Sequence, residues 1–375
     1  EQLARALADA AVVAPRRRAG SPLLKRFAEN GKVLEKVHAR ILAGEEHARG
    51  IDVEWLLDNF HIVDDVLKEV RRDMPQGYDA VLPKLAATPL KGYPRAYAVA
   101  VALAAHTDAE FDEARINRFV AAFQERAPLA IGELWALPTM LRLVLLENLR
   151  RLADEMAWSW RERSRADAWL AAPEAARPPL GEPTGPLVAR LAQAPQARDA
   201  VGLLRSRGVD VEAVVEAESA RQAANQVTVG NCVVGLRLLS AVDWNAFFEQ
   251  QSLVQKILLE DPSGFYPQQD FATCDRCRKA VENVARGAKA DERAVARRAV
   301  ELAAAADPAG ERGRHVALWL IDDGLRALRA GFPYRGPWRE RLLEWSRSRP
   351  NLVYFGSIVA AWCVVAAAFA RLAGG

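Results

Sequence analysis

The feature that most constrains the fold is a helical spacing of apolar residues that recurs along the chain. It is clearest between residues 51 and 73, where a single apolar stripe consists of Val53, Leu56, Leu57, Phe60, Val63, Val66, Leu67 and Val70. A period of about 3.6 residues predicts an amphipathic helix with one buried face. No stretch alternates with a period of two for long enough to predict a strand. The sequence therefore predicts an all-α protein, a multi-helix bundle or solenoid-like array of antiparallel helices.

A proline-rich segment suggests how the helices are divided. Residues 173–186 contain five prolines, and proline neither donates a backbone hydrogen bond nor continues a helix. A chain of 375 residues is also too long for one small core. We therefore predict an N-terminal helical subdomain over residues 1–172, a linker at 173–186 and a second helical subdomain over 187–350. We expect one helix to begin at Pro138, and separate helices over 209–225 and 228–260.

The C-terminal segment predicts contact with a membrane. Residues 351–370, NLVYFGSIVAAWCVVAAAFA, contain no charge, and about 20 apolar residues are needed to span a bilayer as a helix. Arg347, Arg349 and Arg371 flank the segment. We predict a transmembrane helix over 351–371, and the excess of basic residues before it places residues 1–350 in the cytoplasm. The alternative is a buried core helix, because alanine makes the segment only moderately hydrophobic.

Charge and cysteine usage argue against several classes of protein. The 51 basic and 48 acidic residues leave a net charge of +3, which is weak support for nucleic-acid binding. Four cysteines with only Cys274 and Cys277 close together do not form a disulfide framework, so a reducing compartment is expected. This CxxC lacks a second ligand pair, so we interpret it as two helix cysteines. The sequence contains no phosphate-binding loop, and we predict no metal site and no cofactor in this chain.

Polar and aromatic residues around the 51–73 helix form the candidate site. Trp55, Asn59, Arg71, Tyr78 and Trp135 could contact a sugar or a neighbouring domain, although helix packing is the commoner role of tryptophan. We predict no catalytic residue, because no nucleophile accompanies this set.

A catalytic alternative uses three other residues. Asp58 and His61 lie one helical turn apart, as a base and its orienting partner would. With Glu133 they would form a helical carbohydrate-acting enzyme domain. A helical adaptor that binds another protein is a third alternative.

Several long blocks resemble the N-terminal region of cyclic β-1,2-glucan synthases. They include EWLLDNFHIVDDVLKEVRRDMPQGYDAVLPKL, GYPRAYAVAVALAAHTD, FQERAPLAIGELWALPTMLRLVLLENLRRLA and RGRHVALWLIDDGLRALR, and together the matching blocks span about residues 50–330. In that family a large bacterial inner-membrane protein joins a helical region and membrane spans to a glucosyltransferase that uses UDP-glucose. A phosphorylase-like domain follows, and the product is a periplasmic glucan.

The resemblance implies a role for this chain within a larger synthase. It would be a non-catalytic cytoplasmic scaffold that ends in the first membrane span. UDP-glucose and a divalent metal would belong to the transferase part. The implied partners are the inner membrane through residues 351–370, the remainder of the synthase and glucan.

Overall fold

The computed structural model describes residues 1–14, 22–44, 51–74, 78–307 and 311–334, together with 349, 354–356, 358 and 362. The chain forms two compact units, Glu1–Ser252 and Leu253–Gly375. The limits predicted at residues 172 and 187 remain predictions.

The described residues confirm the all-α prediction. Their backbone forms helices and two isolated β-bridges, between Val13 and Leu85 and between Lys84 and Pro94, without a strand. The first unit contains α1 (Gln2–Ala10), α2 (Leu23–Leu42), α3 (Ile51–Asp73), α4 (Tyr78–Val81), α5 (Arg95–His106), α6 (Glu113–Gln124), α7 (Ile131–Ala171), α8 (Gly185–Gln193), α9 (Arg198–Ser206), α10 (Val211–Ala241) and α11 (Trp244–Gln251). The second contains α12 (Leu253–Leu258), α13 (Phe271–Ala288), α14 (Glu292–Ala304), α15 (Val316–Ile321) and α16 (Leu325–Ala330).

The first unit is built around α7, a helix of 41 residues. At about 1.5 Å per residue it is roughly 60 Å long. Its N-terminal third is buried almost without interruption from Leu134 to Leu146. Along its length the helix packs against α2, α3, α5, α8 and α10. A helix that is buried on all sides has to be apolar on all sides. The polar residues that interrupt this helix are therefore the ones that need a structural or functional explanation.

The predicted stripe of α3 is buried as expected. Val53, Phe60 and Val70 are among the seven of its eight residues that lie in the core, whereas Leu57 is 36% exposed. The helix packs mainly against α10 and also against α2 and α7. The period read from the sequence thus identifies the buried face of this helix.

Two helix boundaries differ from the sequence prediction. The long helix begins at Ile131 and not at Pro138, which lies inside it. Glu133 caps the start of this helix, since its Oε2 accepts a hydrogen bond from the backbone N–H of Ala130 at 2.9 Å. Residues 211–241 form one continuous helix, whereas two were expected there. This helix ends at Ala241. The Asp243 carboxylate then accepts hydrogen bonds from the first N–H groups of α11 and so caps that helix.

The predicted membrane span at 351–371 lies outside the described residues, apart from 354–356, 358 and 362. Within the part of the chain that the structure describes, each helix taken singly is too short or too polar to cross a bilayer. Among the described helices, only α10 and α11 together reach that length and composition, and they are bent by 81° where they meet. The span at the C-terminus stays a prediction.

Candidate functional site

The polar face of α3 contributes mainly to helix packing. The Oδ1 atom of Asn59 accepts a hydrogen bond from Arg237 of α10 at 2.5 Å, and its amide donates to the backbone carbonyl of Trp55 at 2.8 Å. Arg71 forms an ion pair with Glu35 of α2 at 3.6 Å. Asn59 and Arg71 therefore link α3 to α10 and to α2, respectively. The Trp55 side chain is 38% exposed.

The other two predicted contact residues are half-buried. Trp135 of α7 stacks on Phe248 of α11, with ring centroids 4.5 Å apart and planes inclined by 14°. Tyr78 lies on the short helix α4. Trp135 thus packs between two helices of the first unit, in agreement with the packing role weighed for it above.

The three residues of the catalytic alternative have different environments. Asp58 and His61 are exposed on α3, whereas Glu133 is fully buried. Arg95 donates from Nε to Oε1 of Glu133 at 2.9 Å and from Nη2 to Oε2 at 2.6 Å. Oε2 also accepts the N–H at the start of α7. Both carboxylate oxygens of Glu133 are therefore used inside the fold.

A cleft of about 580 Å³ opens between α2, α5 and α7. We call it the Glu147 cleft. Its lining consists of Arg26, Glu29, Asn30, Val33, Leu90, Tyr97, Val101, Ala104, Ala105, Val144, Glu147, Asn148, Arg150 and Arg151. Ligand pockets in proteins typically measure about 300–1,000 Å³. The cleft has the size of a small-molecule site.

The Glu147 carboxylate is fixed by groups behind and beside it. The Tyr97 hydroxyl donates to Oε2, Arg26 pairs with Oε1 through Nε, and the Asn30 amide lies 3.5 Å from Oε1. Tyr97 and Asn30 are buried, at 1% and 5% exposure, while the Glu147 side chain remains 15% exposed. Burial raises the pKa of Tyr97, and so does the Glu147 carboxylate. The Tyr97 hydroxyl therefore stays protonated and donates its hydrogen bond to Glu147. The Glu147 carboxylate in turn lines the cleft as a hydrogen-bond acceptor that is held in one position.

The other charges of the cleft are balanced nearby. Arg150 pairs with Asp154 at 2.9 Å, and Arg151 pairs with Glu155 at 2.8 Å, both one helical turn further along α7. The Glu155 carboxylate also accepts a hydrogen bond from Asn225 of α10 at 2.9 Å. The arginines at this end of the cleft are consequently compensated by carboxylates.

The second unit holds a buried polar cluster of its own. Asp261 accepts the backbone N–H groups of Val316 at 2.9 Å and Tyr266 at 3.1 Å. Arg278 is fully buried, donates to Gln255 at 3.1 Å and lies over the Phe271 ring at 4.7 Å. These contacts tie α12 to α13 and the loop after α12 to α15, which is a structural role.

The two cysteines of the CxxC lie beside this cluster. Cys274 and Cys277 are buried in α13. Burial raises the pKa of the Cys277 thiol to about 12, whereas reactive cysteines have lowered values. Among the residues with described positions, no three His, Cys, Asp or Glu side chains group closely enough to hold a metal ion.

Sequence reasoning missed the residues of the Glu147 cleft. Tyr97 and Glu147 lie within two of the blocks that carry the family resemblance, but neither forms a motif with its sequence neighbours. One signal was present. The apolar run of α7 from Leu143 to Leu146 is followed by Glu147 and Asn148, and polar residues in the buried part of a helix need partners.

Comparison with known proteins supports the resemblance read from the sequence. No protein-family model matches this chain. The cyclic β-(1,2)-glucan synthase NdvB of Rhizobium meliloti (strain 1021) is 34% identical to it over 299 residues, which cover 74% of the chain. The chain spans about a tenth of that relative, since the match covers 10% of its length. The predicted relationship to cyclic β-1,2-glucan synthases is therefore confirmed.

Proposed function

Because this chain is related to a cyclic β-1,2-glucan synthase, we propose that it serves the synthesis of β-1,2-glucan as a non-catalytic helical scaffold. The observation that supports a scaffold is the environment of Glu133. Its carboxylate is buried, receives two hydrogen bonds from Arg95 and caps the start of α7. A carboxylate that is fully buried and has both oxygens in use stabilises the fold and is not poised for proton transfer.

The wider proposal concerns the partners of this scaffold. The remainder of the synthase would supply the glucosyltransferase, with UDP-glucose and a divalent metal bound there. The charge-free segment 351–370, between Arg349 and Arg371, supports anchoring in the bacterial inner membrane with residues 1–350 on the cytoplasmic side. Trp55, exposed on α3, is a candidate contact with glucan or with the rest of the synthase.

A chimera of the relative tests this function. The segment of NdvB that matches this chain is deleted, and in a second version it is replaced by the matching residues of this chain. We expect the deletion to lower the amount of cyclic β-1,2-glucan or to change its size distribution, and the replacement to restore it. Glucan would be measured by chromatography and mass spectrometry, with protein level checked by immunoblot. Normal glucan from a deletion that is stably produced would refute the proposal.

Two substitutions in the chimera separate a scaffold from an enzyme domain. A scaffold should tolerate Asp58→Asn and His61→Gln, because both side chains are exposed on α3. The enzymatic alternative requires these groups, so loss of glucan at unchanged protein level would favour it. Glu113→Gln, at an exposed carboxylate of α6, is the matched control.

A further inference from the structure

The Glu147 cleft has the construction of a binding site as well as its size. Glu147 lines the cleft, and the buried Tyr97 and Asn30 side chains hold its carboxylate in one position. Asn148 follows it on α7 and is half-buried in the same lining. An acceptor fixed in advance loses little conformational entropy when a ligand binds. The cleft thus offers a preorganised acceptor with amide groups beside it.

The charges of the cleft favour an uncharged ligand. Three arginines and two carboxylates line it. Arg26 pairs with Glu147, and Arg150 and Arg151 pair with carboxylates one turn further along α7. A diphosphate would place negative charge next to Glu29 and Glu147, where like charges repel. A neutral molecule with many hydroxyl groups meets both donors and acceptors without that cost.

The rest of the lining is apolar. It consists of Val33, Leu90, Val101, Ala104, Ala105 and Val144. A pyranose ring has hydroxyl groups around its edge and C–H groups on its faces. It can therefore pack a face against apolar side chains while its edge forms hydrogen bonds with polar ones. A cleft lined by both kinds of side chain matches such a ring.

We propose that the Glu147 cleft binds a short segment of neutral glucan. Glu147 accepts hydrogen bonds from sugar hydroxyls, and Asn148 and Arg26 donate to sugar oxygens. The choice of a β-1,2-linked glucan over other neutral glycans rests on the function proposed above. A site of this kind would hold nascent or finished product on the scaffold.

Calorimetric titration of the 375-residue chain tests the site. The probes are linear β-1,2-linked gluco-oligosaccharides and, separately, UDP-glucose. We expect the oligosaccharide to bind and UDP-glucose neither to bind in the cleft nor to compete. Glu147→Gln should weaken oligosaccharide binding by about tenfold, because hydrogen bonds to a charged group contribute more than those to a neutral one.

A second variant fills the cleft and leaves the Glu147 network unchanged. Ala105 is exposed on α5 at the lining, so Ala105→Trp occupies the space without disturbing the core. We expect it to abolish measurable binding. Ala121→Trp is the matched control, since Ala121 is exposed on α6 and absent from the lining. It should bind as the unmodified chain does, and circular dichroism should show that all variants fold.

The outcomes separate this proposal from the proposed function. Oligosaccharide binding that is unaffected by Glu147→Gln and Ala105→Trp would refute the proposal that the cleft is the binding site. A lack of binding by the unmodified chain would refute it as well. Binding of UDP-glucose that Ala105→Trp removes would replace glucan by the sugar nucleotide as the ligand. None of these results bears on the chimera experiment, which measures glucan production and needs no binding at this cleft.

Discussion

Glu133 and Glu147 lie on the same helix, about four turns apart, and each pairs with an arginine. Their surroundings differ. Glu133 is fully buried, and its partner Arg95 is 9% exposed. The Glu147 side chain is 15% exposed, and that of its partner Arg26 is 49% exposed. One pair is closed inside the fold, while the other borders a cleft.

The difference teaches how to separate a structural carboxylate from a candidate functional one. Removing one partner of a buried ion pair leaves an uncompensated charge in a medium of low polarity, which is strongly destabilising. A pair at the edge of a cleft keeps access to water, so its contribution to stability is small. Glu133 should therefore matter for folding, and Glu147 should matter for binding with little effect on folding.

The largest expected effect is that of Glu133→Ala. Removal of the carboxylate leaves the buried Arg95 charge without its compensating anion, so we expect a loss of about 3–5 kcal/mol in the free energy of unfolding. Urea denaturation followed by circular dichroism measures it. The matched control is Glu125→Ala, which breaks an exposed pair with Arg5 and should change the free energy of unfolding very little. A loss from Glu133→Ala no larger than that of the control would contradict the assignment.

Replacing both partners of the closed pair is a sharper test. In Arg95→Met/Glu133→Leu no buried charge remains, and apolar replacements of buried ion pairs are often neutral. We expect the double variant to be more stable than Glu133→Ala alone. The N–H of Ala130 loses its side-chain acceptor in both variants, whereas the carbonyl of Pro128 loses its donor, Arg95, only in the double variant. If the double variant were less stable than Glu133→Ala, the loss would come from altered packing and not from the uncompensated charge of Arg95.

A third carboxylate of α7, Glu162, is intermediate. It accepts hydrogen bonds from Thr184 at 2.6 Å and from Arg165 at 2.6 and 2.9 Å. Arg165 also donates to the carbonyl of Leu180, and Trp169 to that of Pro178. These contacts join the proline-rich segment to the end of α7. Glu162 is 8% exposed, between the closed pair and the open one.

Glu162 should make stability depend on pH in the acid range. Burial alone would raise its pKa, but the hydrogen bonds from Thr184 and Arg165 outweigh burial and hold the pKa below its ordinary value. A lowered pKa gives stability that is present above the unfolded value and lost as pH falls through the folded one. We expect Glu162→Gln to cost about 1 kcal/mol at pH 7 and progressively less below pH 4.5.

Denaturation midpoints measured between pH 3 and 7 check the Glu162 prediction. Glu182→Gln, at an exposed carboxylate of the same proline-rich segment, is the control, because it leaves the Thr184 and Arg165 contacts in place. A cost of Glu162→Gln that stays constant over this range would show that the Thr184 and Arg165 contacts do not depend on the charge.

An effect of similar size is expected from Tyr97→Phe at the open pair. The variant loses one buried hydrogen bond to Glu147, which should cost about 1 kcal/mol at neutral pH. Because the pKa of Tyr97 is raised in the folded chain, its contribution is present below the ordinary value of 10.0 and is lost as pH rises above it. The stability of Tyr97→Phe should therefore fall less steeply above pH 10. Equal slopes for variant and unmodified chain would contradict this.

The sequence predicts the helices and their buried faces better than it predicts the surroundings of Glu133 and Glu147. The buried stripe of α3 follows from the helical spacing of its apolar residues, because position along a helix decides which residues share one face. The surroundings of Glu133 and Glu147 do not follow in this way. Their partners Arg95 and Arg26 lie far away in the sequence on α5 and α2, and only packing decides which pair is closed. The start of α7 was misplaced for a similar reason, since Pro138 suggests a helix start while the Glu133 cap provides one seven residues earlier, at Ile131.

The smallest expected change in stability is that of Glu147→Gln, and it tests the comparison most directly. Glutamine keeps an acceptor for Tyr97, and Arg26 is half-exposed and can turn to water, so the cost should stay below about 1 kcal/mol. Urea denaturation measures the loss, and Glu133→Gln is measured in parallel because it makes the same chemical change at the closed pair. Equal losses from the two amide variants would remove the distinction between a closed and an open pair. A near-neutral Glu147→Gln would mean that α7 holds its second carboxylate for a purpose other than stability.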